Sequence, residues 1–115
     1  MSDEATIARA QRLAGHLPGV EVAPHYGKPW LKVAGKALAG PCRYEGTLAV
    51  HCPVALKEAL IEARPDVYYD TDHFRGWPSI LVRIDVIEDD MLKDRLEAAW
   101  RDRAPKRLLK EGPQA

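Results

Sequence analysis

Between Val20 and Cys52 the chain reads VEVAPHYGKPWLKVAGKALAGPCRYEGTLAVHC, with glycine or proline at 24, 27, 29, 35, 40, 41 and 46. The runs between these breakers are short and alternate in character, the pattern of a strand meander. In PWLKVA, Leu31 and Val33 share one face while Trp30 and Lys32 share the other. Ala34-Gly35 suits a tight turn into KALAG, and Glu45-Gly46 a second turn into TLAVHC. There Leu48, Val50 and Cys52 point one way, and Thr47, Ala49 and His51 the other.

Helical spacing flanks the meander. Ile7, Ala10, Leu13, Ala14 and Leu17 recur on one stripe, Ser2 or Asp3 can cap its start, and Pro18 is expected to stop it at Leu17. Pro53 suits the first turn of a second helix, with Val54, Leu56, Leu60 and Ile61 inward and an end near Arg64. A short strand is expected over Val67 to Asp70. After the corner TDHFRGWP comes SILVRID, with Ile80, Val82 and Ile84 opposed to Leu81, Arg83 and Asp85. A last helix begins at Glu88 or Asp89 and turns Met91, Leu92, Leu96, Ala99 and Trp100 inward, ending at Pro105.

Helix, strands, helix, two strands, helix is the order of a single-domain α+β fold, an antiparallel sheet with its helices on one face. The opposite face is then expected to stay wet and to carry Trp30, Lys32, His51 and Arg83. Residues 1–109 form the expected domain and 110–115 a flexible tail.

Composition narrows the class of protein more than the function. The 115 residues are 46% hydrophobic and 30% charged, with no apolar run of membrane-spanning length. MSDEATIARAQ is not a secretory signal, and Cys42 and Cys52 stand outside any C-x-x-C pattern. A cytoplasmic monomer with reduced thiols is expected. Seventeen basic and seventeen acidic residues cancel, so no global field attracts a polyanion. Their placement is uneven: Val22 to Tyr44 holds no acid, whereas Asp85, Glu88, Asp89, Asp90 and Asp94 cluster where helix capping accounts for them.

LPGVEVAPHYGKPWLKVAGKALA, EARPDVYYDTDHFRGWPSILVRID and AWRDRAPKRLL together resemble the MmcQ/YjbR family of small bacterial proteins. The likeness runs in order from about Leu17 to Leu109. It implies a CyaY-like fold similar to the frataxins, with two β-hairpin wings, and a DNA-binding-like character. Gly27, Pro29 and Lys32 match the family's G-x-P-x-x-K element. His73, Gly76, Trp77 and Pro78 match its H-x-x-G-W-P corner, and Ala104, Pro105, Lys106 and Arg107 its A-P-K-R end.

The residues themselves name no reaction. In the corner, Gly76 can take positive φ, Pro78 fixes φ into the next strand, and Trp77 offers an apolar plate expected to pin the loop to the core. His73 with Asp70 or Asp72 could form an acid–base pair, with Thr71 and Ser79 close in sequence, yet no nucleophile motif surrounds them. His16, His25, His51 and His73 lack metal-ligand spacing, and AGKALAG lacks the spacing of a phosphate loop. We therefore assign no catalytic residue, metal or cofactor from the sequence, and expect a non-enzymatic binding module. Its first expected ligand is nucleic acid, bound weakly and in a salt-dependent way through Lys28, Trp30, Lys32, Lys36, Arg75 and Arg83. The alternatives are a protein partner on the same face, or a small-molecule or enzymatic site at the His73–Trp77 corner.

Overall fold

The computed structural model describes residues 2–112; Met1 and 113–115, the latter half of the expected tail, lie outside the described residues. The chain begins with α1 (Asp3–Ala14), whose Ser2 side chain accepts the Ala5 N–H at 3.1 Å. Four strands follow, β1 (Val20–His25), β2 (Lys28–Val33), β3 (Lys36–Pro41) and β4 (Thr47–His51). Then come α2 (Val54–Ala63), β5 (Tyr68–Tyr69), β6 (Ser79–Arg83), α3 (Asp89–Arg103) and α4 (Lys106–Leu109). All pairings are antiparallel, in the spatial order β1-β2-β3-β4-β6-β5. This is the expected α+β sheet. No helix among the described residues is long and apolar enough to cross a membrane.

The first two hairpins turn on Tyr26-Gly27 and Ala34-Gly35, each with both residues at positive φ. That geometry matches the right-handed twist of the flanking strands. Glycine takes it freely, whereas Tyr26 at φ 51° occupies a region where a bulky side chain is strained by about 1–2 kcal/mol.

The row Leu31–Ala39–Val50–Ile80 runs through direct cross-strand partners and is wholly buried. Beneath it pack Ile7, Ala10 and Ala14 of α1 and Leu92, Leu96 and Trp100 of α3. The Trp100 indole N–H, fully buried, finds the Pro18 carbonyl at 2.8 Å.

Four details depart from the expectation. First, α1 ends at Ala14 with Gly15 as its cap, and Leu17 enters the core from a turn. Second, Pro53 is the N-cap of α2 rather than part of its first turn, and the strand expected over Val67–Asp70 shortens to Tyr68–Tyr69. Third, Val54 and Leu56 face outward while Lys57 is buried. The helix lies against the β5–β6 edge, where only Leu60 and Ile61 reach the core. Lys57 is instead satisfied by Asp70 and by the carbonyls of Phe74 and Trp77, each at 3.0 Å.

The fourth concerns the face expected to be wet. Its central row, Gly40–Ala49–Leu81–Tyr69, follows from direct pairings, and Gly40, Ala49 and Leu81 are buried. The Trp30 ring lies on Gly40. Beside it a cluster of aromatic rings joins Tyr44 with Tyr69 and Phe74. Tyr44 also donates its hydroxyl to Thr71 at 3.0 Å, tying the 70–78 corner to the β3–β4 connection. Part of this face is thus roofed by side chains and a loop, and beside that roof lies a cleft.

Candidate functional site: a cationic, aromatic cleft

The cleft is about 630 Å³ in volume, within the range of small-ligand sites. One wall is the first hairpin, with His25, Tyr26, Lys28 and Trp30. The facing wall is the corner, with His73, Phe74, Trp77 and Pro78. Between them lie Pro41, Cys42 and Arg43 from the end of β3, His51 and Ser79 from paired strand ends, and Arg103 from the last turn of α3.

Each wall is fixed by identifiable bonds. Trp30 donates its indole N–H to the Pro41 carbonyl at 3.1 Å, and the His25 ring sits 4.7 Å from it. The corner is held from below by the buried Lys57 ammonium, and at its end the Cys52 N–H donates to the Pro78 carbonyl at 3.0 Å. Trp77 joins this anchoring through its carbonyl alone. Its side chain is 63% exposed, so the expected plate against the core is instead an indole presented to solvent at the rim. Tyr26, on the opposite rim, is 96% exposed.

No carboxylate lines the cleft among the described residues, whereas three histidines, Lys28, Arg43 and Arg103 do. Lys28 is partly neutralised by Asp3 at 3.0 Å. Arg43 approaches His73 Nδ1 at 3.3 Å; an arginine can only donate, so this ring nitrogen accepts and the Nε2–H stays available as a donor. Asp102 is turned onto His51, its Oδ2 lying 2.5 Å from Nε2. Arg103 donates to the Ala37 carbonyl at 2.8 Å and forms no ion pair among the described residues. Burial first, then the positive charges of Lys32 and Arg103, hold His25 below the usual histidine range. Cys42 is a free thiol pushed up by burial, which disfavours the thiolate a nucleophile needs.

A sequence model of the YjbR family, by that description, matches residues 15–102. The chain belongs to the YjbR family. Uncharacterised proteins of Mycobacterium bovis and Mycobacterium tuberculosis are 44% identical to this YjbR chain over 54 residues, 47% of the chain and 42% of those proteins' length. The crystal structure of Deinococcus radiodurans protein DR2400, with its DUF419 domain, superposes with a TM-score of 0.68 at 16% identity, over 91% of this chain and 86% of that one. That likeness establishes a shared fold.

Two of the stretches that resemble family motifs, 27–32 and 73–78, contribute residues to facing walls of the cleft, whereas 104–107 lies outside its lining. Gly27 turns the first hairpin with φ 80°, Pro29 is exposed on it, and His73, Trp77 and Pro78 line the far wall on either side of Gly76 at φ 81°. Pro105 caps α4, leaving Lys106 and Arg107 exposed beside buried Leu108. Of the six expected nucleic-acid contacts, Lys28 and Trp30 line the cleft. Lys32 is half-buried just outside it, and Lys36 is exposed at the start of β3. Arg75 pairs with Asp72 at 2.6 Å. Arg83 lies 4.3 Å over the Tyr69 ring and donates to the Pro65 carbonyl. Asp70 and Asp72 are held by Lys57 and Arg75, so neither forms the acid–base pair considered for His73. Sequence reasoning did not single out Tyr26, Arg43 or Arg103 as site residues. The acid-free run from Val22 to Tyr44, which supplies one wall and much of the floor, was its one signal for two of them.

Proposed function

We propose that this YjbR chain is a non-enzymatic binding module for nucleic acid that engages an unpaired strand through the cleft. What supports the reading is the pairing of aromatic walls with an acid-free, cationic lining. Aromatic rings stack on bases of any sequence while arginine and lysine meet the phosphates. Duplex bases are already stacked and present no free face, so single strands are favoured.

The test is fluorescence anisotropy of labelled single- and double-stranded DNA and RNA at about 50 and 200 mM salt, where phosphate contacts show their dependence. Single strands bind more tightly, and the higher salt weakens them steeply. Trp77→Ala removes an exposed ring and costs about 1–3 kcal/mol of binding, the range for one stacked base, with the unfolding midpoint unchanged. Equal binding by Trp77→Ala and by Arg43→Glu would remove the cleft from the reading, and no binding at low salt would remove the nucleic acid. A second reading rests on the exposure of Tyr26 and Trp77, which also suits anchor residues for a protein partner. Binding of that kind responds little to salt.

A further inference from the structure

The cationic groups of the cleft are not equivalent. Lys28 is matched to Asp3, and Arg43 is engaged with His73. Arg103 is half-buried, and among the described residues its side chain bonds through Nη1 alone of its five N–H donors, on the Ala37 carbonyl. The neighbouring carboxylate, Asp102, is occupied by His51. His25, distant in the chain, lines the same cleft as Arg103, and the charges of Lys32 and Arg103 disfavour its protonation. Two basic groups, one from β1 and one from α3, therefore share a lining that holds no carboxylate among the described residues, while Lys32, outside that lining, stands opposite Glu21 in the β1–β2 register. An anion placed beside them is attracted to the Arg103 charge and favours the protonated form of His25.

Resting on the reading of the cleft as a nucleic-acid site, we infer that Arg103 and His25 form a phosphate subsite beside Trp30, and that the unit held is a nucleoside monophosphate, free or at the end of a strand. A guanidinium fork fits a phosphate through two parallel bonds. The adjoining Trp30 indole supplies the face on which a base lies, and the volume accommodates one nucleotide. A phosphomonoester carries close to two negative charges at neutral pH, a better match to this cluster than the single charge of an internal phosphodiester.

The experiment is a titration of the full chain with AMP, adenosine and inorganic phosphate, followed by tryptophan fluorescence or calorimetry. Oligonucleotides with and without a terminal phosphate are titrated alongside. AMP is expected to bind about tenfold to a hundredfold more tightly than adenosine, the scale of charge-assisted hydrogen bonds. Arg103→Gln reduces that ratio to near one, and Arg103→Lys, which keeps the charge without the fork, gives an intermediate ratio if the first variant folds poorly. Equal affinity for AMP and adenosine in the parent chain, or an unchanged ratio in both Arg103 variants, overturns the subsite. AMP binding with no oligonucleotide binding supports the subsite and overturns the strand reading. Oligonucleotide binding indifferent to a terminal phosphate, with no AMP binding, does the reverse.

Discussion

At Gly40 an added Cβ would lie 2.2 Å from the Trp30 ring, so the absence of a side chain there lets the indole lie flat on the sheet and form one cleft wall. Gly40→Ala forces the ring outward, away from its bond to the Pro41 carbonyl. We expect a loss of about 1–3 kcal/mol, the usual cost of overpacking, read as a lower urea midpoint. A change under about 0.5 kcal/mol, the scale of a neutral surface substitution, would mean that Trp30 swings aside freely. Strand parity read from the sequence put Trp30 off the core face. It could not reveal the glycine beneath it, because that contact depends on the register of β2 against β3, which shifts between Leu31 and Lys32. Trp77 misleads for a related reason. Size and apolarity argue for burial, but the chain at Phe74 and Trp77 is already held through its carbonyls, and the ring is left to face water.

Among the elements, α2 shows most clearly where a hydrophobic pattern stops being informative. Val54 and Leu56 fit a stripe, but a helix against a sheet edge has room to bury only part of one. The buried position that follows them is a lysine, whose carbon stem fills apolar space while its ammonium meets Asp70 and two corner carbonyls. Lys57→Ala leaves a carboxylate and two carbonyls without their donor. The expected loss is about 2–3 kcal/mol in chemical denaturation, below the 3–5 typical of a fully buried pair because Asp70 keeps some water. Amide exchange should accelerate selectively over residues 70–78, since the lysine holds that segment to α2. Uniform acceleration across the sheet would contradict this role. The turns at Gly35 and Gly46, by contrast, were legible because each needs a glycine at positive φ, whereas the Tyr26-Gly27 turn of the first hairpin was not read from the sequence.

For the whole molecule, the order of elements and the α+β class could be read directly, since each depends on local periodicity and breakers. The cleft could not, because it joins residues near 25–43, 73–79 and 103 that no spacing rule relates. The acidic run was likewise only half understood. Capping was expected to account for it, yet Asp89 receives Arg9 and Arg12 from α1, and Glu88 and Asp66 share Arg64. Arg9 also reaches the Ile84 and Ile87 carbonyls, so these pairs clamp the first helix to the last. The Arg9 and Arg12 guanidiniums hold Asp89 below its ordinary 3.8. Asp66 is lowered by Arg64, and Glu88 by a backbone hydrogen bond and then by Arg64. A depressed folded-state value stabilises the fold above the unfolded value, and that contribution fades as the pH falls through the folded value, where the unfolded chain binds more protons. Acid titration should therefore show stability declining from about pH 4 downward, and Asp89→Asn should make that decline shallower. An identical slope in the variant would place the acid sensitivity elsewhere.

The walls of the cleft also belong to parts of the chain that separate completely on unfolding. Whatever occupies it bridges the first hairpin and the end of α3, behaving as a cross-link without a covalent bond. By mass action, an occupant at a hundred times its Kd would add about 2.7 kcal/mol to the stability of the domain. The lifetime of the folded chain in a cell would then be set partly by how much of that occupant is present.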